Sequence, residues 1–210
     1  MKANEYHLVT FDPGGTIGWA HLVFDLKAFS RPEHKALAWL RRWDCGEFTG
    51  SEHEQLADAG RLIHRAHFGK PFNAARTDIV AEDFELTQMI GGKNLLSPVR
   101  VNAVLDWQCA RQGLTLQYQR RSMRTNITPA RLQLFGFDPP AGKHWSKAGA
   151  FKDAFAAMQH AVVWVRRQKE LSRTRPWKLS VDGVANAAWD CACETIGTYG
   201  RSVCDMKHPI

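Results

Sequence analysis

No stretch of this chain approaches the ~18 consecutive apolar residues of a membrane-spanning helix, and the N-terminus has no secretory-signal pattern. The cysteines number five, an odd count that argues against a disulfide framework and for a reducing compartment. The expectation is a cytoplasmic protein without a membrane partner. Cys191, Cys193, Cys204 and His208 are ligand types for zinc, but Cys-X-Cys within a helix does not aim both sulfurs at one ion. Buried free thiols are the preferred reading. Internal repeats and low-complexity tracts are also missing. Acids are in deficit, 21 against 28 Lys and Arg, which leaves a net charge of +7. That balance suits a polyanionic partner such as nucleic acid. What is present is a folding chain. Hydrophobic content of 44% with eight Trp excludes disorder. A length of 210 residues is enough for one domain with a real core and an appendage.

The most informative stretch is His7-Leu-Val-Thr-Phe-Asp12-Pro13-Gly14-Gly15-Thr16-Ile17-Gly18-Trp19-Ala20. An apolar run ends in a carboxylate, turns through Pro-Gly-Gly and returns as a second apolar run. This pattern predicts a β-hairpin with Asp12 at the end of its first strand. A carboxylate there is either a hard oxygen ligand for a divalent ion or a residue that stabilises its own turn. Ile79-Val80-Ala81 is a second short apolar run, and it stops at Glu82. Sheets with parallel strands bind ligands at the strands' carboxyl ends, so two acids delivered in this way can share one ion. The alternative for Glu82 alone is a solvated surface.

Strands are predicted at 5–12, 18–25, 39–49, 78–82 and 114–119. The segment 25–38, with Pro32, reads as a long turn or a short helix. Helix 52–68 starts at Ser51 and carries Leu56, Ala59, Leu62, Ile63 and Ala66 at helical spacing. Further helices are predicted at 94–112, after a Gly91-Gly92 loop, and at 129–135, with Pro129 in first position. A last helix should run from about Ser146 to Lys169. The order is an α/β layout with a mixed central sheet flanked by helices. Basic residues gather near the proposed acids: Arg120, Arg121 and Arg124 after the fifth strand, and Lys143 and Lys147 before the last helix. Arg166, Arg167 and Lys169 end that helix, where cations are favoured in any case.

Phe11-Asp12-Pro13-Gly14-Gly15-Thr16-Ile17-Gly18-Trp19-Ala20 and Val80-Ala81-Glu82-Asp83-Phe84 resemble the RuvC-like Holliday-junction resolvases of the RNase H-like superfamily, phage-type members especially. Leu95-Leu96-Ser97-Pro98-Val99-Arg100-Val101 and Asp153-Ala154-Phe155-Ala156 fit the same pattern. The resemblance spans about residues 5 to 170. It implies an RNase H-like nuclease domain over 1–170 with a helical extension over 171–210. It also implies a homodimeric endonuclease that nicks branched DNA with Mg²⁺ or Mn²⁺, two ions per site. A phage-encoded protein acting in a host cytoplasm would fit. Asp12, Glu82 and Asp153 would hold metal, His160 would join them in catalysis, and Lys93, Arg100, Arg120, Arg121, Arg124, Lys143 and Lys147 would meet DNA. The helix near 94–112, with Leu95, Leu96, Val99, Val101, Val104, Leu105 and Trp107, would pair with its two-fold mate or simply pack in the core.

The chain departs from the family on the last helix, where two acids, or a His and an acid, stand three residues apart. One register puts the partner of Asp153 at Ala150, the other at Ala156. Asp153-Ala154-Phe155-Ala156 resembles the family's sequence after its last Asp and supports 150, while Gln159-His160-Ala161, placed as in phage-type relatives, supports 156 and tips the reading slightly that way. Three explanations stand: His144, His160 or a tail acid completes the site; an acid has been replaced by Ala at 156; or the protein binds junctions without cutting them. In the tail, Asp182, Asn186 and Asp190 fall on one face of a possible helix over 183–197, and a docked, capped helix is the simpler reading. Asp-Pro-Gly-Gly-Thr would also suit the phosphate loop of a phosphotransferase, but the chain is too short for the two-domain enzymes that begin this way.

Overall fold

Glu5–Asp12 forms strand β1, buried from Tyr6 onward, which makes it the centre of the fold. The computed structural model describes residues 5–25, 40–68, 76–84, 97–146 and 148–171. β1 turns into β2 (Ile17–Asp25), antiparallel and in register from Glu5↔Asp25 to Asp12↔Gly18. β3 (Leu40–Phe48) extends the sheet beside β2 and shifts register at Val23/Phe24. Helix α1 (Glu52–Phe68) begins at a capping box. Ser51 Oγ accepts from Glu54 N at 3.3 Å, and Glu54 Oε2 accepts from Ser51 N at 2.8 Å, so two N–H groups at the helix start are satisfied reciprocally. β4 (Arg76–Asp83) returns parallel to β1, and β5 (Leu116–Arg120) is parallel to β4, with α2 (Ser97–Arg111) between them in sequence. A 3-10 turn (Arg121–Arg124), the short α3 (Pro129–Leu134) and the long α4 (Lys152–Leu171) complete the described chain.

The five strands lie in the order β3-β2-β1-β4-β5. This is the mixed, helix-flanked α/β sheet that the sequence predicts. Alternation along the strands divides the core in two. Tyr6, Leu8, Leu22, Phe24 and Val80 face α4, whose Ala154, Phe155, Met158, Ala161 and Val162 cover them. Val9, Phe11, Ile79 and Ala81 face the other way, onto Ile63 of α1 and Val101 and Leu105 of α2.

One boundary differs in a way that matters for the site. The last helix starts at Lys152 instead of near Ser146. Gly149 and Phe151 have φ of 81° and 72°, and left-handed residues cannot continue a right-handed helix. Ala150 is therefore exposed and outside α4, so it has no helical relation to Asp153. The predicted strand 114–119 is displaced to 116–120, because the chain leaves α2 through Gly113 at φ 69°. Lys93, Lys147, Leu95, Leu96, the Gly91-Gly92 loop, the segment 26–39 and the tail with Asp182, Asp190, Cys191 and His208 lie outside the described residues.

Candidate metal centre

Asp12 ends β1 and Glu82 lies near the end of β4. The parallel register runs to Phe11↔Ala81, so the next residue on each strand brings the two acids side by side. Both share a sheet face with Leu8 and Val80, the face that α4 covers. α4 crosses this face obliquely. Its start sits over Gly18 of β2, its Ala157 carbonyl accepts from Thr10 Oγ1 of β1 at 2.7 Å, and His160 reaches β4 and β5. His160 is fully buried, with Nε2 2.9 Å from Glu82 Oε2 and Nδ1 3.0 Å from Gln119 Oε1. One ligand atom from each of Asp12, Glu82 and His160 lies within 4.8 Å of the others.

Burial raises the Asp12 pKa to about 7; Arg124 opposes the shift, and Glu82 and Asp153 add to it. Burial acts on Glu82 in the same direction, but hydrogen bonds and charge from His160 and Arg124 outweigh it and hold this carboxyl below its ordinary range. Burial also drives His160 down, against the pull of Glu82. A neutral imidazole has one N–H. Without an ion, Nε2–H donates to Glu82; the tautomer with its proton on Nδ1, toward Gln119 Oε1, frees the Nε2 lone pair to ligate a cation beside that carboxylate. The spacing suits that arrangement: neighbouring donors on an octahedral ion at about 2.1 Å stand about 3 Å apart, as Nε2 and Oε2 do here. Two oxygens and one nitrogen, buried on rigid strands and a helix, fit a divalent ion.

Asp153 stands apart from that trio among the described residues, yet it is near enough to raise Asp12. It is half-buried, and its own pKa is raised by burial; Lys152 opposes the shift and Glu47 reinforces it. Ala156 is buried but belongs to neither apolar cluster. One helical turn separates it from Asp153 on one side and from His160 on the other. His144 is exposed on the loop before α4.

The basic residues divide. Arg120 and Arg121 are exposed beside the centre, and the charge of Arg121 reaches Asp12. Arg124 lies inside the centre, with Nε 2.6 Å from Glu82 Oε2 and Nη2 3.7 Å from Asp12 Oδ1. Arg100 pairs with Glu52 of α1 at 2.9 Å. Lys143 lies over the Phe151 ring at 5.8 Å.

Several supporting residues escaped the sequence reading. Glu47 of β3 accepts from Asp153 N at 2.9 Å and Ala154 N at 3.4 Å, capping α4 from a distant strand. Gln55 of α1 accepts from Ile17 N at 2.8 Å and donates to the carbonyls of Gly15 and Gly50, which fixes the turn after Asp12. Asn102 donates to the Glu82 carbonyl at 2.9 Å. Two signals were available: Gly18 inside an apolar strand marks a close approach, and Gln159-His160 interrupts an otherwise apolar helix face.

Neither a family model nor a curated protein matches this chain. Among solved structures it is similar to Thermus thermophilus RuvC, at 13% identity and a TM-score of 0.44 over 77% of this chain and 96% of that one. It is also similar to T. thermophilus RuvC in complex with Holliday junction substrate, at 11% identity and a TM-score of 0.45 with the same coverage.

Proposed function

We propose that this chain is a structure-selective, divalent-metal-dependent endonuclease that nicks branched DNA such as Holliday junctions. The observation that carries the reading is the meeting of Asp12 and Glu82, from the ends of adjacent parallel strands, with the buried imidazole of His160. Mg²⁺ or Mn²⁺, two per site, would supply charge for the phosphate and a means of generating the attacking oxygen nucleophile. Asp12, Glu82 and His160 would hold the first ion, and Asp153 would join Asp12 for the second. Gln119 fixes the His160 ring through Nδ1, and Gln55 and Asn102 fix the backbone on either side of the acids. Arg120 and Arg121 would take the DNA backbone, in keeping with the chain's net charge of +7. α2, with Val99 and Trp107 exposed, would pair two copies so that both strands of a junction are nicked. Such a protein would work in the cytoplasm, phage-encoded or not.

A four-way junction and a linear duplex of the same sequence, each with Mg²⁺ and with Mn²⁺, test this reading. The wild type should nick the junction in preference, and Asp12→Asn should bind it without nicking. Junction binding without cleavage by the wild type would select the second reading, a junction-binding protein with a degraded site. Alanine at 156 and an arginine among the acids favour that alternative.

A further inference from the structure

The Arg124 guanidinium lies against both acids of the centre. Its Nε donates to Glu82 Oε2 at 2.6 Å and its Nη2 stands 3.7 Å from Asp12 Oδ1. Its Nη1 donates to Gln159 Oε1 at 3.0 Å, and the buried Gln159 is in turn held by the Ile127 carbonyl. The guanidinium is thus seated from both sides, by acids in front and by a fixed amide behind.

We propose that Arg124 is a built-in counter-cation of the acid pair, which takes the ion's place when none is bound and must leave Glu82 before both carboxylates can hold one. The inference rests on the metal reading of Asp12 and Glu82 given above. Three observations support it. First, two buried carboxylates side by side cannot both stay ionised without a compensating charge, and Arg124 is the cation in contact with Glu82. Second, Glu82 Oε2 already accepts from Arg124 Nε and faces His160 Nε2, so an ion drawing on that oxygen competes with the arginine for it. Third, a planar fork can reach two acceptors at once where the point charge of a lysine cannot, and here the fork reaches Glu82, Asp12 and Gln159. Arg124 also ends a 3-10 turn none of whose residues is fully buried.

The test is a Mn²⁺ titration of the full chain without DNA, by calorimetry, on the wild type and Arg124→Gln. The variant should bind Mn²⁺ about tenfold to a hundredfold more tightly, the ratio that one charge-assisted hydrogen bond is worth. In EDTA the variant should melt below the wild type, and saturating Mn²⁺ should restore the loss, which it would not do for an arginine that only packs. Equal or weaker Mn²⁺ binding by Arg124→Gln overturns the proposal and leaves the metal reading standing. No Mn²⁺ binding by either protein overturns both. Tighter binding without junction cleavage upholds the proposal and removes the nuclease reading instead. Should Arg124→Gln not fold with or without Mn²⁺, Arg124→Lys carries the same test: a smaller gain in Mn²⁺ affinity supports the proposal, and none overturns it.

Discussion

Gly18 of β2 lies directly against the backbone of Asp153 at the start of α4: a Cβ on this glycine would overlap the Asp153 carbonyl and stand 2.7 Å from Ala154 N. Gly18 is paired with Asp12 across the hairpin. The bare backbone at 18 therefore sets how near α4 comes to the first acid. Gly18→Ala must push the helix away, and overpacking of a tight contact costs about 1–3 kcal/mol or more. A domain of this size loses about 2–4 °C per kcal/mol. The melting temperature should fall by several degrees, and junction cleavage should fall more than junction binding. An unchanged melting curve would place α4 elsewhere.

The raised pKa of Asp12 makes metal-free stability depend on pH. Its folded value, about 7, lies above the 3.8 of a freely solvated aspartate. The protonated form is thus favoured in the folded state, and this contribution is present below 3.8 and lost as pH rises through about 7. Asp12→Asn removes the buried charge and keeps the shape. In EDTA, its melting temperature should rise relative to wild type as pH goes from about 5 to about 8. A constant difference across that window would contradict the burial of an ionisable Asp12.

His160 and position 156 offer competing ways to complete the ligand set. His160 touches Glu82, so His160→Ala should reduce Mn²⁺-dependent cleavage by about a hundredfold, in the range that loss of a supporting or ligating group costs a metal site. Ala156→Asp should then add little. A gain of orders of magnitude in Ala156→Asp would show instead that an acid belongs at 156, where the helix already presents a buried side chain outside both apolar clusters.

α2 buries Val101, Leu105 and Cys109 but leaves Trp107 54% exposed and Val99 39% exposed, with Arg111 over the Trp107 ring at 4.8 Å. If this face pairs with a second copy, Trp107→Glu should convert a dimer to a monomer in light scattering without lowering the melting temperature of the dilute protein. A wild type that is strictly monomeric, free and on a junction, would leave the exposed tryptophan without that role.

The sequence by itself determined what depends on near neighbours. Alternation and the Pro-Gly-Gly turn set the β1–β2 hairpin with Asp12 at its end, the apolar run before Glu82 set β4, and Ser51 with the periodicity behind it set α1. These signals are local, because strand alternation, turn chemistry and capping act within a few residues. The helix starts at Lys152 and not near Ser146 because of the left-handed conformation of Phe151, which its residue type does not encode. Only the tertiary structure decided which side chains share the centre. His160 meets Glu82 across 78 positions, Arg124 meets it across 42, and Glu47 caps α4 across 106. Those meetings follow from the parallel register of β1 and β4 and from the line α4 takes over the sheet. That line is set by Gly18, Thr10 and Glu47 jointly, each on a different part of the sheet. A one-residue change of register would turn each strand's acid to the opposite face, which is why the sequence could nominate the acids while packing alone chose their neighbours.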